Sequence, residues 1–90
     1  MNKFKDKVLL ITGGTGSFGQ ALLDRLVNSN IAEIRIFSRD EKKQESLRTK
    51  YNNKKLKFVI GDVRNSHSID SALNDVDFVF HAAALKQVPT

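Results

Sequence analysis

The chain has 90 residues, 40% hydrophobic and 28% charged, which is the size and composition of one small globular domain. It contains no cysteine, so disulfides and thiolate metal sites are excluded and a reducing compartment suits it. The charged opening from Met1 to Lys7 precedes an apolar run of only Val8 to Ile11, too short for a signal-peptide core or a membrane span, so a cytoplasmic protein without membrane contact is expected.

Apolar runs then alternate with helical patterns. Lys7–Thr12 carries Val8-Leu9-Leu10-Ile11, the continuous run of a strand buried on both faces. Gly13–Gly16 breaks it, and from Ser17 to Asn28 the residues Phe18, Leu22 and Leu26, with Leu23 and Val27 beside them, form one helical stripe. Glu33–Ser38 is a second strand through Ile34, Ile36 and Phe37. Asp40 suits the N-cap of a polar helix reaching about Tyr51, anchored by Leu47 and Tyr51. Lys50 to Lys57 gathers lysines around a polar turn and reads as a solvated loop. Leu56–Gly61 supplies a third strand. Ser66 is expected to cap a short helix with Ile69, Ala72 and Leu73 on one side, and Asp77–Ala82 gives a fourth strand.

Four strands alternating with three helices predict an α/β Rossmann-type fold, a parallel sheet of order 3-2-1-4 with right-handed crossovers. That is the N-terminal half of a doubly wound dinucleotide-binding domain. Residues 1–90 are therefore expected to be a truncated domain that lacks the second half of that fold. The open outer edge of the last strand predicts self-association through Val76 to Val88, and thus a homo-oligomer.

The strand ends carry the chemistry. Thr12-Gly13-Gly14-Thr15-Gly16-Ser17-Phe18-Gly19 follows a strand and opens a helix, the setting of a phosphate loop. Gly13 allows the turn, Gly16 lets backbone approach a pyrophosphate, and Gly19 lets the helix lie close to the strand. Helix N–H groups and the helix dipole favour the anion. The end of the second strand reads Phe37-Ser38-Arg39-Asp40, where an NAD site usually holds an acid for the ribose 2′-hydroxyl. Ser38 offers a hydroxyl, Arg39 a fork suited to phosphate, and Lys42 or Lys43 further charge, which points to NADP. Arg39 as a solvated charge and Asp40 as a helix cap alone remain open. Asp62 and Val63, after the third strand, can meet the adenine amino group and a ring nitrogen, or simply begin a turn. Ala82-Ala83-Ala84 after His81 leaves room for a flat cofactor, or for a tight strand end. His81 reads as positional rather than catalytic and His67 as a surface residue. No metal constellation is present, and no Ser/His/Asp set suggests hydrolysis. A net charge of +5 admits anionic partners, but no aromatic residues interleave with the lysines as in base-stacking proteins, so nucleic acid is not expected.

Taken together, the glycine turn, Phe37-Ser38-Arg39-Asp40-Glu41, Ile60-Gly61-Asp62-Val63-Arg64 and His81-Ala82-Ala83-Ala84-Leu85-Lys86-Gln87-Val88-Pro89 resemble one branch of the extended short-chain dehydrogenases. That branch is the inverting UDP-N-acetylglucosamine 4,6-dehydratases of bacterial surface-polysaccharide synthesis. The resemblance spans nearly the whole chain. It implies a lyase in which NADP takes hydride from the sugar C4, water leaves across C5 and C6, and hydride returns to C6 with inversion at C5. By the same resemblance Thr15 to Phe18 hold the pyrophosphate, and Ser38 to Lys43 surround the adenosine 2′-phosphate. Asp62 and Val63 hold adenine, and Ala82 and Lys86 flank the ribose and nicotinamide. The resemblance also implies that the family's catalytic half, with its Tyr-x-x-x-Lys, acid and lysine, and its sugar-binding half fall past Thr90 and are absent from residues 1–90. Tyr51, the only tyrosine, belongs to the second helix and cannot replace them, so no catalytic residue is expected in this segment. Three other readings stay open: a nucleotide-sugar 4-epimerase of the same superfamily, a non-catalytic NADP-binding module, and a basic nucleic-acid-binding domain.

Overall fold

Short runs of large apolar residues cannot be covered by one helix alone, and in this chain they become strands enclosed by helices on both sides. The computed structural model describes residues 4–13, 16–62 and 64–81. In chain order these form β1 (Val8–Thr12), α1 (Ser17–Leu26), β2 (Glu33–Ser38), α2 (Glu41–Tyr51), β3 (Leu56–Ile60), α3 (Ser66–Ala72) and β4 (Phe78–His81). The strands make one sheet of order β3-β2-β1-β4, and every pairing is parallel. This is the expected Rossmann-type order, with β1 at the point where the chain crosses from one side of the sheet to the other.

The register decides what each face buries. Leu9 lies opposite Ile34 and Phe78, and Ile11 opposite Ile36 and Phe80. These alternate residues face α1 and α2, where Leu9, Ile11, Ile34, Ile36 and Leu56 join Leu23, Leu26 and Leu47 in one core. The intervening residues turn the other way, and there Leu10 and Phe37 form a smaller core with Ala72 of α3, flanked by Val59, Ile69 and Val76. Arg35, on that second face, donates to the Ala72 carbonyl at 2.8 Å and to the Asn74 carbonyl at the end of α3. It thereby satisfies helix-end carbonyls that would otherwise lack partners.

Several expected boundaries move for local reasons. α1 ends at Leu26, not Asn28. The Ser29 hydroxyl takes the Leu26 carbonyl at 2.7 Å, and Lys55 Nζ reaches the carbonyls of Val27 and Ser29. Lys55 is therefore the C-terminal cation of α1 rather than part of a solvated loop. The buried line of α1 is Gly19, Leu23 and Leu26. Phe18, about 100° around the helix from Gly19, falls outside it and is 41% exposed. α3 is capped by Asn65, not Ser66: Asn65 Oδ1 accepts from the backbone N–H groups of His67 and Ser68 at 3.0 and 3.3 Å, leaving Ser66 as the first helical residue. Leu73 follows α3 as its C-cap and is exposed, while Ile69 and Ala72 pack inward. β3 stops at Ile60, before Gly61. β4 begins at Phe78, because Asp77 is engaged at its entry, donating its N–H to the Val8 carbonyl and accepting from Val8 N, both at 2.8 Å. Ala82 lies outside the described residues. No described helix is long and apolar enough to cross a membrane.

Candidate functional site

In a parallel sheet all strands end on one edge, so the turns after β1, β2 and β3 are brought side by side by the order β3-β2-β1. After β1, Gly13 takes φ 70°, a left-handed conformation that favours glycine, and its N–H donates to the Phe37 carbonyl at 2.8 Å. Gly16 is the N-cap of α1, with φ −83° and no side chain bonded to the cap. No acidic residue stands in the first turn. Among the described residues, the positive end of α1 thus meets this edge with no acid in its first turn. Ser17 and Phe18 are exposed beside it, and Gly19 is buried where the helix lies on the sheet.

β2 ends in Ser38, which is buried, followed by Arg39 and Asp40, which are exposed. Arg39 Nη1 stands 3.6 Å from Asp62 Oδ2, so the second and third strand ends are joined by charge across the β2–β3 pairing. Asp40 caps α2, its Oδ1 accepting from Lys43 N at 3.0 Å. The Lys43 side chain lines a hollow of about 310 Å³ between α1 and α2, together with Gly16, Ser17, Gln20 and Lys50. Lys43, expected near the second strand, thus borders the same hollow as the start of the first helix.

After β3, Gly61 is required by contact rather than by backbone angle. A Cβ there would lie 2.7 Å from the Phe37 ring. Asp62 is then gripped by Arg64, which donates from Nη2 at 2.8 Å, from Nε at 3.2 Å to both oxygens, and from its backbone N–H at 2.9 Å. These bonds from the Arg64 side chain, then from its N–H, and the charges of Arg64 and Arg39 hold the Asp62 carboxyl down at about 2. Asp62 is thus a fixed anion able to accept further hydrogen bonds. At the end of β4, His81 Nδ1 is 2.9 Å from Thr12 Oγ1, which joins the outer strand to the central one at this edge.

Of the residues singled out from sequence, the structure brings Gly13, Gly16, Ser17, Phe18, Gly19, Ser38, Arg39, Asp40, Lys43 and Asp62 to this edge or the helix starts beside it. Thr15, Val63, Ala82, Ala83, Ala84 and Lys86 lie outside the described residues. Sequence reasoning quoted Gly61 and Arg64 within a motif without giving them a role, and it passed over Gln44. A glycine directly after an apolar strand was the one available signal for Gly61. Tyr51 is engaged away from the edge: it donates to Asp24 on α1, and burial, this bond and the Asp24 charge push it up to about 12.

Comparison with known proteins narrows the reading. The sequence profile described as polysaccharide biosynthesis protein matches residues 9–90. A UDP-glucose 4-epimerase of Rickettsia prowazekii (strain Madrid E) is 69% identical over 91 residues, covering 97% of this chain and 27% of that protein. Its namesake in Rickettsia bellii (strain OSU 85-389) is 68% identical with the same coverage. The chain thus spans about a quarter of the length of the curated relatives it matches. Among solved structures, Pen from Bacillus thuringiensis superposes with a TM-score of 0.85 at 41% identity, over 94% of this chain and 26% of that one. A short-chain dehydrogenase/reductase family oxidoreductase from Burkholderia thailandensis, 23% identical over 83% of this chain and 30% of its own, shares the fold with a TM-score of 0.72.

Proposed function

The chain belongs to the polysaccharide biosynthesis protein family, and from that membership we propose that it is the NADP-binding front part of a cytoplasmic, homo-oligomeric enzyme that oxidises a UDP-sugar at C4. One observation carries this reading. The glycine turn delivers an α1 N-terminus capped by no side chain to the edge where Arg39 occupies the place of the usual acid. The residues fit the cofactor's parts in order: α1's start the pyrophosphate, Ser38, Arg39 and Lys43 the 2′-phosphate, and Asp62 the adenine amino group. When bound, the cofactor accepts hydride from the sugar and returns it. This segment's own work is to bind and orient it. The acid–base groups for the sugar, implied by the motif resemblance, lie outside these 90 residues, as does the surface for the sugar.

Two reactions share the C4 oxidation. The names of the 69% and 68% identical relatives favour 4-epimerisation of UDP-glucose. The Ser38-Arg39-Asp40-Glu41 and Ala82-to-Pro89 motifs favour 5-inverting 4,6-dehydration of UDP-N-acetylglucosamine. Incubation of the full-length enzyme with each UDP-sugar, followed by NMR of the products, separates them. A galacto-configured sugar with its 6-hydroxyl intact supports the first, and a 4-keto-6-deoxy sugar supports the second. Absence of both products, with no NADP binding by calorimetry, overturns the whole reading.

A further inference from the structure

Gln44 is 2% exposed and, with Leu47, is one of two buried residues on a helix that is otherwise largely polar. A buried amide is costly unless bonded, and its partners show what it does. Nε2 lies 2.9 Å from the Val59 carbonyl and 2.9 Å from Ser38 Oγ, with the Ile36 and Ser38 carbonyls further off at 3.5 Å. A carbonyl only accepts, so the atom facing Val59 must be the amide nitrogen, and its two hydrogens serve the Val59 carbonyl and Ser38 Oγ. Ser38 Oγ is thereby an acceptor toward Gln44, and its own hydrogen must point to a different acceptor.

We propose that Gln44 is a positioning residue for cofactor choice: by donating to Ser38 Oγ it commits the Ser38 hydroxyl to donate at the end of β2. This rests on the NADP reading above and deepens it. Ser38 is the last residue of β2 and adjoins Arg39, so the side chains there present donors from both. A phosphate oxygen can only accept and is served by both groups. A ribose 2′-hydroxyl also needs an acceptor for its own hydrogen; with one Ser38 Oγ lone pair taken by Gln44, that acceptor has to be the remaining lone pair or a carboxylate, Asp62 or Asp40, that already bonds within the protein. Gln44 therefore tilts the site toward the phosphorylated cofactor without touching it. Its bond to Val59 also fixes the spacing of the β2 and β3 ends.

The test uses the full-length protein with Gln44→Met, Gln44→Glu, Ser38→Ala and the double variant Ser38→Ala/Gln44→Met, measuring NADP and NAD dissociation constants by calorimetry and Tm separately. Gln44→Met is expected to lower the NADP-to-NAD preference by about two- to tenfold, the effect of one hydrogen bond. Gln44→Glu, whose carboxylate draws the Ser38 hydrogen to itself, lowers it further. The double variant matches Ser38→Ala, because Gln44 acts through Ser38. Gln44→Asn, a gentler change, is read the same way if Gln44→Met does not fold. Equal weakening of both cofactors, or additive losses in the double variant, reduces Gln44 to a structural role and overturns the inference. Wild-type preference that survives in Gln44→Met and Gln44→Glu overturns it while leaving the NADP reading intact. A wild type that binds NADP no better than NAD overturns both.

Discussion

α1 and α2 start at the same edge of the sheet, after neighbouring strands, yet they begin differently. α2 starts from Asp40, whose carboxylate accepts from Lys43 N, and carries Glu41 in its first turn. α3 likewise starts from Asn65, which accepts two backbone N–H groups. α1 starts from Gly16, with neither a side-chain cap nor an acid in its first turn. A side-chain cap is worth only about a few tenths of a kcal/mol over glycine, so α1 forgoes a little stabilisation that the other two helices have. The two capped helices are satisfied internally, whereas α1 leaves its positive end to an anion from outside. Stability and binding are thus assigned to different helix starts, and substitutions at the two should separate them.

The largest effect is expected from Gly16→Val. Gly16 has φ −83°, which any residue adopts, so the backbone is not strained. The added side chain stands where the pyrophosphate must approach, removing at least two charge-assisted bonds. Dinucleotide affinity should fall by about 100-fold or more, while far-UV circular dichroism stays that of the wild type. Unchanged affinity by calorimetry would remove α1 from the site and end the contrast between the helices.

Next comes Arg39→Ala. Its pair with Asp62 is 3.6 Å long, and the Arg39 side chain is 69% exposed, so Tm should barely move. The NADP-to-NAD preference should fall by about tenfold, the lower end for a charge-assisted phosphate contact at an exposed site. If the preference is retained, Arg39 is only a surface charge.

Asp40→Ala should act in the opposite way, lowering stability by about 1 kcal/mol through loss of the α2 cap. Asp40→Asn keeps the cap and removes a negative charge beside the 2′-phosphate, so it should restore Tm with NADP affinity equal or higher. A large loss of NADP affinity in Asp40→Asn would mean that this carboxylate serves the ligand after all, which erases the division between α1 and α2.

Much of this arrangement could be read from the residues. Val8 to Ile11 and Phe58 to Ile60 are apolar runs, and Ile34 to Phe37 is broken only by Arg35; all are too short to be helices, and their alternation with helical stripes left one sheet order to expect. The glycine turn was legible because it sits between a strand and a helix, and Arg39 because it falls where an acid is usual. What escaped depends on geometry rather than pattern. Asn65 and Ser66 are both good caps in adjacent positions, and only the direction of approach selects Asn65. Gln44 in a polar helix looks solvated until the packing of α2 on β2 and β3 turns it inward. Lys55 looked like one of several loop lysines, and only the fold brings it to the end of α1. The Arg39–Asp62 pair depends on the lateral pairing of β2 and β3, which no local window contains.

The smallest effect concerns the turn after β3, which resembles the α2 start in having its charge answered from within. Arg64 is the main reason the Asp62 carboxyl is held at about 2, and Arg39 adds to it. The folded value lies below the ordinary 3.8, so this contribution to stability is fully present above about pH 4 and lost as pH falls through about 2. Both arginines are exposed, so the contribution is small, and at neutral pH Asp62 is ionised with or without Arg64. Arg64→Ala should therefore leave Tm at pH 7 almost unchanged and raise the Asp62 midpoint, followed by carbon NMR of the carboxyl, toward 3.8. The rise should be partial, because the backbone N–H of residue 64 still donates to Asp62 and Arg39 remains nearby. A midpoint that stays at about 2 would show that the turn's own N–H groups and Arg39 hold the anion unaided. Asp62 would then be prepared for a ligand by the backbone, as α1 is, and would belong with the binding side of the comparison.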